Sequence, residues 1–257
     1  MNLKTVQKKP LQDHLAFFQK NHKPGSYRMH CVVIKHVLKL IGRKKLAKEI
    51  VLPKRPDSAG AINLIPAEDR QKLIQEAPTL QDRLIIELMD ETGGRRGEIY
   101  KLRIKDVQFD EYGAILWLNG KTGVRRRRVY GAVADLRSQI NNNSKRSDPE
   151  AALFYKPDGS SFTSLQFYRH VKKMGWRILK KNIHPHMFRH SRATEDFRYF
   201  TDREMIKLFG WKRPEQVSVY SHLSMRDVEE KDLVLHGLKP REEILPGYSR
   251  RSCKGYL

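Results

Sequence analysis

The chain has 257 residues, 39% of them apolar, which is enough for one or two folded domains with a sizeable core. Lysine and arginine number 51 against 29 aspartate and glutamate, and this net charge of +22 favours a nucleic-acid partner over an anionic membrane surface. Two cysteines exclude a disulfide framework, and the lack of any run of ~20 apolar residues excludes a membrane span.

The first fifth of the chain is predicted to be helical. Residues 11–51 have the apolar spacing of two or three short helices, interrupted by breakers at 23–26. Ser26 can cap the second of these helices. Its apolar positions are expected at Val32, Val33, Val37, Leu38 and Leu40. Basic residues on or beside its polar face include Arg28 and Lys35, which we expect to contact the nucleic acid.

A larger domain is predicted to begin near Leu64. Pro66 opens a helix, and Thr79 with Asp82 forms a capping box for another over 80–91. Tight turns separate three predicted strands of an antiparallel meander, at 107–109, 114–118 and 124–130. Further helices are predicted at about 164–180, 186–196, 202–209, 214–222 and 225–235. The predicted fold class is mainly α with a small antiparallel sheet, that is, α+β.

Arg95 is the first residue with a chemical interpretation. It follows two glycines at a predicted helix start, where backbone amides also favour anions. The nonbridging oxygens of a phosphodiester are negative, so an enzyme without a metal must supply fixed cations, and the arginine fork grips two oxygens at once. Glu98 lies three residues later on the same helical face and could hold Arg95 in place. Alone, such an arginine is more often an ordinary surface residue.

His186 and Arg189 are three residues apart on a predicted helix, so they can present a titratable group and a cation to one phosphate. The nearby His184 and His190 also raise the possibility of a metal site. We reject it because no acidic or cysteine ligand lies close in sequence and the positive charge of Arg189 would oppose a cation. No metal is expected.

Lys121 lies in a glycine-flanked turn that resembles the end of a phosphate-binding loop. The complete motif requires glycine where this chain has Ile115, so nucleotide binding is disfavoured and no cofactor is expected. As a hairpin tip, the turn could carry Lys121 into a DNA groove. Tyr220 is a candidate nucleophile if its proton is removed, and Trp211, nine residues earlier, can donate a hydrogen bond to a phosphate.

In this order the motifs closely resemble those of the tyrosine recombinases, the phage-integrase family. Arg95 and Glu98 match its TGxRxxE motif, Lys121 its hairpin lysine, and Tyr220 its nucleophile. The HxxR pair is matched by His186 and Arg189, and Trp211 falls where most members have histidine. The run over 211–224 looks most like archaeal integrases.

The resemblance implies a mechanism of DNA strand transfer. The tyrosine attacks the scissile phosphate, two arginines neutralise its oxygens, the lysine protonates the leaving 5′-oxygen and the histidine shuttles the proton. Trp211 positions the phosphate, and the product is a 3′-phosphotyrosine. Four protomers would act on two double-stranded DNA duplexes, with the tyrosine serving its own site or a neighbour's. Arg125, close to the hairpin lysine, is also expected to contact DNA.

The expected domain organisation has three parts. Residues 1–56 would be a partial helical core-type DNA-binding domain plus linker, 57–240 the catalytic domain, and 241–257 a basic tail. The expected location is the cytoplasm, in association with the nucleoid. Two alternatives stay open: a type IB topoisomerase-like nicking-closing enzyme, and a catalytically silent DNA-binding relative.

Overall fold

A computed structural model describes residues 2–54, 63–217, 220 and 233. The chain divides into two compact units, Met1–Ala61 and Ile62–Leu257, and each has a hydrophobic core. The predicted boundary after residue 56, the predicted helix at 225–235 apart from Leu233, and the basic tail lie outside the described residues. Within them, no helix has both the length and the apolar composition to cross a bilayer.

In the described part of the first unit there are three helices, α1 (Lys8–Asn21), α2 (Pro24–Leu40) and α3 (Lys44–Glu49). Proline lies in the first turn of α2, where its missing N–H costs no hydrogen bond. The helix therefore begins before Ser26, and the prediction that Ser26 caps it is wrong.

The buried face of α2 differs from the predicted one. Cys31, Ile34 and Leu38 are its buried residues, whereas Val33 and Leu40 are 52% and 72% exposed. Residues at i, i+3 and i+7 share one side of a helix, so Leu38 lies on the same face as Cys31 and Ile34 and not on the face of the neighbouring valines. The sequence pattern therefore identified the helix but assigned most of its core positions to the wrong face.

The second unit is mostly helical. Its seven helices among the described residues are α4 (Ala67–Gln75), α5 (Leu80–Thr92), α6 (Arg96–Ile99), α7 (Val133–Asn141), α8 (Ser164–Leu179), α9 (Pro185–Asp196) and α10 (Asp202–Phe209). The Thr79 hydroxyl accepts a hydrogen bond from the backbone N–H of Asp82 at 3.1 Å, as the capping prediction requires. Helix α7 was not predicted from the sequence; it begins after Ala132 without a side-chain cap.

One antiparallel sheet lies between α6 and α7. Its strands are β1 (Val107–Asp110), β2 (Gly113–Gly120) and β3 (Gly123–Val129), in the order β1-β2-β3. Gly120 pairs with Gly123, so the β2–β3 turn consists of residues 121 and 122 alone. The predicted fold class, mainly α with a small antiparallel sheet, is confirmed.

Two apolar clusters support the region around α9. The larger one includes α5, which contacts α4, α7, α9 and β3 and ends where the chain turns towards Arg95. The smaller one joins α9 and α10 to the chain beyond them. Its members are Ala193, Phe197, Met205, Phe209, Trp211, Val217 and Tyr220. Of the helix predicted at 214–222, the described part contains a 3-10 turn at Pro214–Gln216.

Candidate active site

The end of α5 places Arg95. Gly93 ends the helix in the left-handed conformation, with φ of 55°, and a Cβ atom there would lie 2.6 Å from the ring of Phe209. The chain then enters α6 with Arg95 at the N-cap, and the Glu98 carboxylate accepts the Arg95 backbone N–H at 2.9 Å. The glycines before Arg95 thus permit a tight turn, because there is no room for a side chain at Gly93.

The guanidinium of Arg95 is fixed by three different elements. Nη1 donates to Glu98 Oε1 at 2.8 Å and to the Thr122 hydroxyl at 3.1 Å, and Nη2 donates to the carbonyl of Gly210 at 2.9 Å. The side chain is 23% exposed, so part of it can still meet a ligand. Arg95 is therefore a positioned cation.

Glu98 is buried between two arginines. Its carboxylate pairs with Arg95 at 2.8 Å and with Arg125 Nη2 at 2.9 Å. Burial by itself would raise the pKa of the Glu98 carboxyl, but Arg125 and Arg95 outweigh this effect and lower it. Glu98 does contact Arg95, as expected of a supporting residue.

Arg125, which was expected to contact DNA, is buried in the second unit. Its side chain is 6% exposed, and besides pairing with Glu98 it donates to the Leu208 carbonyl. Alternate residues of β3 face opposite sides of the sheet, so Arg125 and Arg127 point inwards while Arg126 is exposed. Arg125 is therefore an internal partner of Glu98 in this structure, and its contact with DNA stays a prediction.

Arg189 lies on α9, which begins at Pro185. Only 3% of the residue is exposed, and its guanidinium donates to the carbonyls of Gly93 at 2.9 Å and Phe209 at 2.7 Å. Burial lowers the pKa of Arg189 to about 9, and repulsion from Arg95 and Arg125 contributes. The side chain therefore remains charged at neutral pH.

The C-terminus of α10 accepts hydrogen bonds from all three arginines. The bonded pairs are Arg125 with the carbonyl of Leu208, Arg189 with that of Phe209, and Arg95 with that of Gly210. The last carbonyls of a helix lack intrahelical partners and carry partial negative charge. They therefore offset part of the repulsion between three cations that the sequence scatters over almost a hundred residues.

Tyr220 lies in the same cluster, with 8% of its surface exposed. Its ring stacks on Trp211, with centroids 5.3 Å apart, and the Arg189 guanidinium lies 5.7 Å from the Trp211 ring centroid. Burial raises the pKa of the Tyr220 hydroxyl, and the charge of Arg189 partly opposes that shift. The structure thus brings together Arg189, Trp211 and Tyr220.

The sequence suggested His190 only as a possible metal ligand, and its contact with Tyr220 was not predicted. Its Nδ1 atom lies 2.7 Å from the Tyr220 hydroxyl. Burial lowers the pKa of His190, and the charge of Arg189 acts in the same direction, so the ring is neutral at physiological pH. Its position four residues after His186, on the same helical face, was the available clue.

His186 lies beside His190, with ring centroids 5.3 Å apart, and retains an exposed surface. Packing on its protein side lowers its pKa to about 4, with contributions from His190 and Arg189. His184 instead stacks on Tyr168, 6.3 Å away. Among the residues with described positions, no three His, Cys, Asp or Glu side chains converge as a metal would require.

Lys121 is exposed at the tip of the β2–β3 turn, next to the threonine that Arg95 binds. A cavity of about 1030 Å³ is lined by Lys121, Arg95 and Glu98 together. In the first unit, Lys35 donates to the Ile50 carbonyl at 2.8 Å and Arg28 to the Pro53 carbonyl. Both predicted DNA contacts of α2 therefore have internal partners.

Comparison with known proteins decides the family. The model of the phage integrase family matches residues 63–227. The chain belongs to this family. Tyrosine recombinase XerA of Pyrococcus furiosus is 27% identical over 234 residues, covering 85% of this chain and 78% of the relative. XerA of Pyrococcus horikoshii is 27% identical over 249 residues, covering 92% and 83%.

Solved structures agree on the fold. XerH bound to a palindromic difH substrate in a post-cleavage complex superimposes with a TM-score of 0.69 at 19% identity, covering 91% of this chain and 74% of that chain. A lambda integrase dimer bound to a COC′ core site gives 0.60 at 17% identity, covering 85% and 65%. This integrase has the tyrosine recombinase fold.

Proposed function

We propose that this integrase is a site-specific recombinase that cleaves and rejoins duplex DNA through a 3′-phosphotyrosine at Tyr220. One observation carries the proposal. The Tyr220 hydroxyl is hydrogen-bonded to a neutral histidine, and its ring is stacked on the tryptophan beneath Arg189. A nucleophile, a proton acceptor and a fixed cation thus occupy one cluster.

The two arginines would bind the nonbridging oxygens of the scissile phosphate. Arg95 and Arg189 are held by protein carbonyls before any substrate arrives, so little reorganisation is needed when the phosphorus becomes five-coordinate. The Tyr220 oxygen attacks phosphorus, and the bond from phosphorus to the 5′-oxygen breaks. Phosphotyrosine retains the energy of the broken ester, so no nucleotide cofactor is needed.

Proton transfer accompanies both bond changes. His190 would accept the hydroxyl proton of Tyr220, and the adjacent His186 would relay it. Lys121, on the exposed turn, would give a proton to the departing 5′-oxygen. A 5′-hydroxyl from a second duplex then attacks the phosphotyrosine, which reverses these transfers and restores the free tyrosine.

The partner is double-stranded DNA, and the active assembly is a tetramer on two duplexes in the nucleoid. The net charge of +22 and the neighbours of the same fold that were solved as recombinase–DNA complexes support the DNA partner. The tetramer follows from the family resemblance alone. The topoisomerase-like alternative is not favoured, because the curated relatives are named recombinases. Relaxation of a supercoiled plasmid without strand exchange would favour it again.

The test is a DNA duplex with a nick near the cleavage site, which traps the covalent intermediate. The unaltered protein should give a denaturant-resistant DNA adduct, and Tyr220→Phe should give none while binding DNA equally well. Tyr130→Phe is the matched control, because it removes the same hydroxyl from a tyrosine that is 51% exposed outside the cluster. An adduct that persists in Tyr220→Phe would show that the nucleophile is another residue.

A further inference from the structure

Two segments beside the candidate site are paired through their backbones. Leu153 N–H donates to the Leu102 carbonyl at 2.9 Å, and Ile104 N–H donates to the Ala151 carbonyl at 3.0 Å. Lys105 N–H donates to the Pro149 carbonyl at 2.9 Å. These bonds hold residues 149–153 against 102–105, so the side chains between them have defined positions on the surface.

Glu150 lies between two cations of this paired region. Its Oε1 atom is 2.5 Å from Lys105 Nζ, and Oε2 pairs with Arg103 Nη1. The hydrogen bonds from Lys105 and Arg103 lower the pKa of the Glu150 carboxyl, so it is ionised at neutral pH. All three side chains are about half exposed, at 48–51%. Exposed ion pairs contribute little to stability, so a polyanionic ligand can displace the Glu150 carboxylate from the two cations.

The same trio lines the cavity that contains Arg95 and Lys121. Among the described residues, two other carboxylates line the cavity, and each has a partner of its own. Glu98 is buried against Arg125, and Asp106 accepts the backbone N–H of Arg103 at 2.9 Å. The cavity therefore connects the candidate active site with Arg103 and Lys105. Both of these cations pair with the exposed carboxylate of Glu150, which a ligand can displace.

We propose that Arg103 and Lys105 form a second binding site for a DNA backbone phosphate, and that Glu150 occupies it until DNA arrives. The inference rests on the proposed function, since it requires that DNA enter this cavity. A phosphate presents oxygens to both cations as the carboxylate does, and it brings the rest of the polyanion with it. Glu150 thus competes with the substrate and weakens DNA binding.

The test measures the affinity of the full chain for a fluorescent random-sequence duplex of about 40 bp, from about 50 to 200 mM salt. Glu150→Gln should tighten binding about three- to tenfold, because the competitor loses its charge. Glu76→Gln is the matched control: Glu76 also pairs with a lysine, Lys72, at 3.8 Å, but does not line the cavity. It should tighten binding by less than twofold.

Two further variants make the result specific. Replacing Arg103 and Lys105 together with alanine should reduce the slope of log affinity against log salt by about 1, because the contact with one phosphate is lost. In that background, Glu150→Gln should have no further effect. Equal effects of Glu150→Gln and Glu76→Gln, or a gain that persists without the two cations, would overturn the inference.

The outcome can be separated from that of the proposed function, because this assay measures binding and the nicked duplex measures chemistry. If Glu150→Gln tightens DNA binding but no covalent adduct forms, the second phosphate site is supported and the cleavage mechanism is contradicted. A normal adduct without a Glu150 effect would do the opposite. No measurable DNA binding would overturn both.

Discussion

The hydroxyl of Tyr220 lies 2.7 Å from Nδ1 of His190. Because burial lowers the pKa of His190, the ring is neutral and Nδ1 can accept the hydroxyl proton. Burial also raises the pKa of the tyrosine, which makes an acceptor at this position necessary for attack near neutrality.

Replacing His190 with phenylalanine should slow DNA cleavage. The change retains a ring beside Tyr220 and removes the proton acceptor, so single-turnover adduct formation should fall about 10²-fold with DNA affinity unchanged. His184→Phe is the control at the N-cap of the same helix, because that ring stacks on Tyr168 instead. A His190→Phe rate within threefold of the unaltered protein would show that His190 does not accept the proton.

Replacing Gly210 with alanine should impair cleavage more than folding. At φ of 57° a side chain costs about 1 kcal/mol, and the new Cβ would lie 3.0 Å from Arg125 Cδ and 3.6 Å from Arg95 Nη1. We expect a loss of about 1 kcal/mol in unfolding free energy and a rate loss of at least tenfold.

Gly159→Ala provides the comparison. Gly159 also has a positive φ, 77°, but a Cβ there meets nothing within 4 Å. It should show the same backbone cost in thermal unfolding with a normal cleavage rate. Similar rates in the two alanine variants would mean that the arginines tolerate displacement of the α10 terminus.

Replacing Glu98 with glutamine should destabilise the second unit. The change leaves the buried Arg125 without a counter-charge, which costs about 3 kcal/mol. Adding Arg125→Met removes that uncompensated charge, so the double variant should regain much of the lost stability in denaturant unfolding. It should not regain cleavage, because Arg95 has lost its carboxylate partner in both. Strictly additive stability changes would argue against the pairing.

Replacing Glu87 with glutamine should stabilise the protein at high pH. Burial raises the pKa of Glu87 from 4.5 to about 7, repulsion from Asp135 adds to the shift, and Oε2 has no hydrogen-bond partner in the described part of the chain. The folded state therefore binds this proton more tightly than the unfolded state, and the stability that it contributes is lost as pH rises from about 4.5 through 7.

At pH ~8 the variant should therefore be more stable than the unaltered protein by about 1 kcal/mol, after allowance for the partial exposure of Glu87, and should unfold at a higher temperature. At pH ~5 the two proteins should unfold at nearly the same temperature. Differential scanning calorimetry at both pH values gives the comparison. An equal difference at the two pH values would mean that Glu87 is not the titrating group.

Local rules predicted the features that depend on neighbouring residues. The Thr79 cap and the two-residue turn that carries Lys121 follow from short-range chemistry. The motif residues of the site were likewise recognisable from sequence, namely Arg95, Lys121, His186, Arg189, Trp211 and Tyr220, whereas the contact of His190 was not. Such features can be predicted because a few consecutive residues determine them.

Features that depend on tertiary packing were missed. The inward direction of Arg125 depends on strand register and on a glutamate 27 residues away, and the role of His190 depends on a tyrosine 30 residues away. The buried face of α2 was assigned wrongly because two apolar stripes were available and contacts with the other helices selected between them. A single sequence does not contain these distances.

Three guanidiniums are hydrogen-bonded to three successive peptide groups at the end of α10, a helix of only eight residues. Displacement of this short helix end would therefore move all three guanidiniums together, whereas replacing one arginine leaves the hydrogen bonds of the other two intact. Substitutions in α10 that never touch DNA should therefore scale the overall rate up or down without changing which sequence is cut.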